Sequence, residues 1–251
     1  HEQFQPLFVI SYGMLMKIYY SLKPYIHWLM AAHLIRRLRI RNYLNNRHEP
    51  RCLQVGGGRY SIKGWLNGDL IGGGIYLNAR RPLPFEDGTF DCVFTEHFFE
   101  HLSLNDGVSF LQEVNRILKP GGILRQSTPS LADIVDIYLD RHPGVSREKV
   151  LDRHFRTHHP ERPCLSAADY FNEVMRLWGH RFIYDEETLE LLYREIGFIN
   201  LNWRKFGESD HKNLRNLERH ADVEWMKSAV VIILEAEKPL KGVKMENETK
   251  N

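Results

Sequence analysis

The chain has 251 residues, 43% of them hydrophobic and 26% charged, with a formal net charge of +2. This is ordinary globular composition, sufficient for one large domain or one domain with a sizeable insertion. The nearly neutral balance gives no global reason to expect a nucleic-acid partner. Three cysteines, Cys52, Cys92 and Cys164, stand far apart without paired spacing, which argues against a zinc ribbon or a disulfide framework. Cys52 and Cys92 fall on expected core strands, so both are expected as buried free thiols in a reducing, cytoplasmic setting.

The chain starts at His1 rather than Met, so residues are expected to precede it, and it carries no secretory signal with a small-residue cleavage site. Residues 1–50 read as a helical N-terminal extension. Phe4 to Met16 carries no charge, Lys17, Lys23 and Pro24 interrupt, and Tyr25 to Ile35 is again uncharged before Arg36, Arg37, Arg39 and Arg41. Neither apolar block reaches the roughly 18–20 residues that span a bilayer. Two readings stay open. The helices pack on the domain or cap its cofactor cleft, or residues 4–41 make a peripheral membrane contact, aromatics in the headgroup region and arginines on anionic lipid.

From Arg51 the pattern turns to alternating strands and helices, a domain expected over 51–237. Arg51 to Gly58 reads as a strand and its turn, 63–70 as a short second strand, 74–78 as a third and 90–94 as a buried fourth. The first two strands are too close for a full crossover helix. Asn105 to Leu118 repeats apolar residues at helical spacing, and Lys119-Pro120-Gly121-Gly122 reads as its stop. Ile123 to Ser127 is a fifth strand. Residues 131–183 read as a helical insertion or lid, with helices at 131–139 and 166–178 and a polar, histidine-rich stretch between them. Asp185 is expected to cap a helix, Glu186 to Ile196, stopped by Gly197. Strands at 198–206 and 229–234 follow, and 238–251 reads as a disordered tail.

A glycine turn after a strand, Gly56-Gly57-Gly58, lets backbone N–H groups approach a ligand with no Cβ in the way. Asp69, ending the second strand, is an acceptor-only group suited to ribose hydroxyls. This is the layout of a nucleoside-binding α/β domain. Neither Tyr60 nor Ser61 supplies the last glycine of a dinucleotide fingerprint, which lowers the nicotinamide reading.

Leu53-Gln54-Val55-Gly56-Gly57-Gly58, Gly64 to Asp69, Leu83 to Asp91, Glu96-His97-Phe98-Phe99-Glu100-His101-Leu102 and Leu118 to Gly122 resemble, in order and spacing, the class I Rossmann-like S-adenosylmethionine-dependent methyltransferases. The nearest resemblance is to bacterial predicted methyltransferases associated with surface polysaccharide synthesis. Trp178 to Asp185 and Gly207-Glu208-Ser209 are also similar to that subgroup. The resemblance implies an α/β fold with a mostly parallel seven-stranded sheet, and S-adenosylmethionine as cofactor. It implies that Gly56, Gly57 and Gly58 wrap the methionine end, Asp69 and Leu70 border the ribose, and Asn78 and Ala79 border the adenine. Glu96 would border the methyl group. Gln54 and Asn78 depart from the acidic residues usual at their positions.

The resemblance leads to O-methylation of a small-molecule or glycan-type acceptor. The sulfonium already activates the methyl group, so the protein mainly aligns the reactants, and a histidine near neutral pH suits a hydroxyl acceptor. His97 and His101 are the candidates, with His180 and Tyr184 as substrate-facing residues. The run His97-Phe98-Phe99-Glu100-His101 also matches the H-x-x-E-H of inverted zinc peptidases, but it falls at a strand end beside a cofactor-type turn. A metal is therefore not expected, although a non-catalytic metal role for one histidine and an acid stays an alternative. Two other functions also remain: a non-catalytic binding module and a nicotinamide-dependent oxidoreductase.

Overall fold

The computed structural model describes residues 33–46, 49–72, 74–161, 166–220, 230–240 and 242. The apolar stretch 4–32, Cys164 and nearly all of the polar tail lie outside them. Residues 1–47 form one compact unit and 48–251 another. In the first, 33–45 are helical (α1). Among the described residues no helix is long and apolar enough to cross a membrane.

The second unit is built on a seven-stranded sheet in the order β3-β2-β1-β4-β5-β7-β6. Its strands are β1 (Cys52–Val55), β2 (Leu66–Asp69), β3 (Ile75–Tyr76), β4 (Phe90–Glu96), β5 (Leu118–Pro129), β6 (Ile199–Trp203) and β7 (Val231–Glu237). The first five run parallel, whereas β7 pairs antiparallel with both β5 and β6, so the sheet is mixed. β1 and β4 are buried along nearly their whole length, as strands covered on both faces must be. β1 reaches β2, and β3 reaches β4, without a helix among the described residues.

α2 (Leu104–Ile117) starts where Ser103 Oγ accepts the Asp106 N–H and buries Phe110, Leu111, Val114 and Ile117 along one face. It does not run into a loop at Lys119-Pro120-Gly121-Gly122. Residues 118–122 already belong to β5, which pairs at Phe90↔Leu118, bulges, and resumes at Cys92↔Ile123. Gly121 supplies a φ of +76° within that bulge. Lys119 Nζ bonds both oxygens of Asp91 at 2.8 Å, so the pair clamps the bulge to β4.

Residues 131–183 form a closed excursion: Leu131 N donates to Tyr184 O at 2.8 Å, so the chain leaves and re-enters at one point. The excursion carries α3 (Leu131–Tyr138), α4 (Arg147–His158) and α5 (Ala167–Arg176). They close a core of their own around Ile134, Ile137, Phe155 and Tyr170. α4 occupies the stretch expected to be irregular. Its Ser146 cap is present, but too few apolar residues follow to mark a helical stripe. α5 has the expected Ser166 cap, extended to a reciprocal capping box with Asp169. α6 (Glu186–Ile196) runs from the Asp185 cap to left-handed Gly197, as expected.

The cysteine expectation is corrected. Parallel register sets Cys52 directly opposite Cys92, with 4.7 Å between Cα atoms, and the two are joined as a disulfide. They are not free thiols, and the cysteines no longer argue for a reducing compartment.

Candidate active site

β1 and β4 are neighbours whose outgoing connections leave in opposite directions. That switch point opens a crevice at their C-terminal ends, where open α/β sheets bind ligands. On the β1 side Gly56 has φ +74°, and a Cβ there would lie 2.3 Å from the Phe98 ring. Only glycine fits. A Cβ on Gly57 would lie 2.7 Å from the Gln54 side chain, whereas Gly58 faces open space. Among the described residues the buried Gln54 Oε1 has no hydrogen-bond partner.

Asp69, ending β2, ties two loops together. Its Oδ2 accepts the Gly58 N–H at 2.9 Å, and its Oδ1 accepts those of Ile71 and Gly72 at 2.9 and 3.2 Å. A carboxylate has about four acceptor positions, so the open one is on Oδ2. A grip on a ribose through both oxygens requires Oδ1 to release a loop N–H. Beside it Leu70 and Ile71 are 52% and 94% exposed. Asn78 Oδ1 accepts the Arg80 N–H at 3.0 Å, and Ala79 is buried. The crevice thus offers an orphaned buried acceptor, a free carboxylate position and uncovered apolar side chains. That set suits a ligand with an amino-acid end, a ribose and a flat base, so these residues fit S-adenosylmethionine.

On the β4 side Glu96 is covered by a segment the sequence did not mark. Its Oε1 accepts the N–H groups of Arg219 and His220 at 2.6 and 3.0 Å, and Oε2 lies 3.2 Å from His220 Nδ1. Residues 214–220 lack strand or helix periodicity, and nothing in the sequence pointed across 123 positions to Glu96. Burial pushes the Glu96 carboxyl up, but His220 and the two N–H groups outweigh it and hold it below its ordinary value. The hydrogen bond to Glu96 raises His220 against its partial burial.

The signs fix a pH window. The raised His220 contributes fully below its ordinary value of 6.5 and loses that contribution as pH rises through the raised one. The lowered Glu96 contributes above 4.5 and loses it on acidification. For a pair with one half-exposed partner the effect is at most about 1 kcal/mol. Amide exchange at Arg219 and His220, corrected for intrinsic rate, should therefore accelerate up to about five-fold from pH 6 to 9. His220→Gln should flatten that profile, and a flat wild-type profile contradicts the coupling.

Beyond β4 and β5, under α3–α5, lies a cavity of about 570 Å³, within the range that holds small ligands. Six histidines line it: His97, His101, His154, His158, His180 and His220, opposite apolar Ile134, Val150, Val174 and Trp178. His97 has φ +45°, a turn conformation uncommon outside glycine, and it leads from β4 into the 3-10 turn Phe99–His101. Glu100 is fully buried behind the histidines: Oε2 accepts the Thr128 hydroxyl at 3.1 Å, and Oε1 lies 3.3 Å from His97 Nδ1. Burial pushes the Glu100 carboxyl up, yet His97 and His101 together hold it below its ordinary value. Burial lowers His154, His158 and His180.

Of the expected site residues, His97, His101 and His180 come together in this cavity. Glu96 is beside it in the chain, but its carboxylate is taken by 219–220. Tyr184 is fully buried, stacked on Phe99 with 4.7 Å between ring centroids, and does not line the cavity. Glu100 and His220 were not expected as site residues, whereas His154 and His158 belong to the histidine-rich stretch of the expected lid.

Residues 74–125, β3 to the middle of β5, match the family model described as methyltransferase domain. That stretch of the chain is similar to a methyltransferase domain. Curated relatives match part of it. The ubiquinone/menaquinone biosynthesis C-methyltransferase UbiE of Desulfotalea psychrophila is 29% identical over 126 residues, covering 49% of this chain and 46% of that protein. A demethylmenaquinone methyltransferase of Staphylococcus aureus is 29% identical over 143 residues, with the same coverages. The chain thus spans about half the length of the curated relatives it matches. Among solved structures, a SAM-dependent methyltransferase from Archaeoglobus fulgidus aligns at TM-score 0.44 and 16% identity over 82% of this chain and 94% of that one. A putative methyltransferase from Bacillus halodurans aligns at 0.45 and 15%, over 80% and 98%.

Proposed function

We propose that the chain transfers a methyl group from S-adenosylmethionine, held at the β1–β4 crevice, to an oxygen of a small acceptor in the histidine-lined cavity. The observation that supports this is the end of β4, where Glu96 belongs to the crevice and the next residue, His97, lines the cavity. The cofactor supplies an electrophilic methyl. Gly56, Gly58 and Gln54 would hold its methionine end, Asp69 its ribose, and Leu70, Ile71 and Asn78 its base. The chain's remaining task is to align the acceptor and remove its proton.

His97 is suited to that task. Glu100 Oε1 sits 3.3 Å behind its Nδ1, where a carboxylate fixes the ring and stabilises the imidazolium formed on proton uptake. His101 lines the cavity from the same turn. Trp178 and Val174 offer an apolar wall to a flat ring or to the apolar face of a sugar. Methylation of a ring carbon next to a hydroxyl is the second reading. The curated relative named as a C-methyltransferase favours it, and the same base would act on the ring hydroxyl.

The test is methyl transfer from labelled S-adenosylmethionine to a panel of phenols, quinols and glycosides, with products located by mass spectrometry. His97→Ala/His101→Ala should cut kcat by about 10²–10⁴, with S-adenosylhomocysteine affinity within two-fold of the parent. Undiminished turnover would end the base assignment.

A further inference from the structure

We propose that Glu100, His101 and His180 form a site for one divalent transition-metal ion of the zinc class, open toward the cavity. The inference does not rest on methyl transfer, because the ligand set stands on its own geometry. One donor atom from each residue lies within 4.8 Å of the other two. Ligands sharing a zinc at ~2.0–2.2 Å stand at most about 4.4 Å apart, so small side-chain rotations bring them together.

Two further observations point to a cation. Glu100 is fully buried, yet among the described residues its Oε1 accepts no hydrogen bond of good geometry. An unmatched buried carboxylate oxygen is costly. Its neighbours are His97 Nδ1 at 3.3 Å and His180 Nε2 at 4.0 Å. His180 is turned toward it in a specific way: its Nδ1 lies 2.6 Å from the Val174 carbonyl oxygen. Nδ1 must carry the proton in that contact, which leaves the Nε2 lone pair facing the anionic oxygen. Two lone pairs facing each other at 4.0 Å leave a position between them that a cation would satisfy. A ring N–H given to a backbone carbonyl is also the usual support of a metal-ligating histidine.

Thr128 Oγ1 holds the second carboxylate oxygen. Arg181 N and Phe182 N donate to Glu100 O at 2.7 and 3.2 Å, which binds the turn carrying Glu100 to the chain that carries His180. The set is therefore preorganised from two separate parts of the fold. Two histidines and one carboxylate are a donor set for zinc with an open position. That position would face the cavity, where the ion would take a hydroxyl or carboxylate oxygen of the bound molecule and lower a hydroxyl's pKa. His97 would remain free for proton transfer.

The experiment uses the full chain, stripped with chelator and titrated with Zn²⁺ by calorimetry and with Co²⁺ by visible absorption. One equivalent should bind, with Co²⁺ bands of four- or five-coordinate intensity. His101→Ala and His180→Ala should each weaken binding at least 100-fold, and Glu100→Gln, which keeps the shape, at least 10-fold. His154→Ala, in the same cavity but outside the set, should leave it unchanged. Circular dichroism identifies variants that fail to fold, and the Glu100→Gln result decides if an alanine variant does. Absence of stoichiometric binding, equal loss in His154→Ala, or undiminished binding in Glu100→Gln would each overturn the assignment.

Discussion

Replacing Arg125 by methionine should destabilise the fold by about 3–5 kcal/mol, the largest loss expected from any single change in the domain. Arg125 lies in β5 with no exposed surface. Its Nε bonds Glu218 Oε1 at 2.6 Å, and its Nη1 bonds Glu235 Oε1 at 2.7 Å and the Glu208 carbonyl at 2.8 Å. Both carboxylates are buried too. Glu235 has a second cation in Arg204, 2.9 Å away, whereas among the described residues Glu218 keeps only the Gly207 N–H at 3.0 Å. Without Arg125, Glu218 is a buried anion with no charged partner, and breaking a buried pair from one side costs far more than never having it.

The consequence reaches the site, because Glu218 immediately precedes the Arg219 and His220 amides bonded to Glu96. Arg125→Met should therefore free 217–220 as well as lower the denaturation midpoint. Arg125→Met/Glu218→Gln should recover a substantial part of the loss, since the stranded charge is gone. A single-variant loss below about 1 kcal/mol by chemical denaturation would mean that the network contributes little.

Asp69→Ala should weaken S-adenosylhomocysteine binding about 100-fold, with a far smaller effect on stability. Hydrogen bonds to a charged group are each worth about 1.5–3 kcal/mol, and one such bond at the upper end is about two decades in affinity. The substitution also frees the Gly58, Ile71 and Gly72 N–H groups, so the two loops lining the crevice lose their common anchor. Asp69→Asn should fall nearly as far. Its amide can present an NH₂ group to the Gly58 N–H, and it cannot accept on both sides at once. Calorimetry gives the affinity and thermal melting the stability. An affinity within three-fold of the parent would show that the carboxylate serves only the loops.

Much of the fold was legible because local chemistry and tertiary role agree. Ser166 and Asp185 are caps that carry their own acceptor, Gly197 is the left-handed stop of α6, and the buried runs of β1 and β4 could not face water. Features defined by distant partners were not legible. Cys52 and Cys92 meet only through parallel register, 40 positions apart. Arg125 reads as a polar residue in a strand until Glu218 and Glu235 are brought to it. α4 has a polar sequence whose few apolar residues find their partners on α3 and α5. Leu118 to Gly122 carries every local sign of a helix stop, yet pairing with β4 makes it strand. At the site, the glycine turn, Asp69 and the His97–His101 turn were readable from spacing. The cover of 217–220 over Glu96 and the convergence of six histidines on one cavity depend on the insertion's own packing, which no local pattern encodes.

The central claim is that the β1–β4 crevice takes the methyl donor. Calorimetric titration of the full chain with S-adenosylhomocysteine, run beside NAD, tests it most directly. The account predicts saturable one-to-one binding of S-adenosylhomocysteine and none of NAD. Absence of saturable heat with S-adenosylhomocysteine, or binding of NAD in its place, would contradict it.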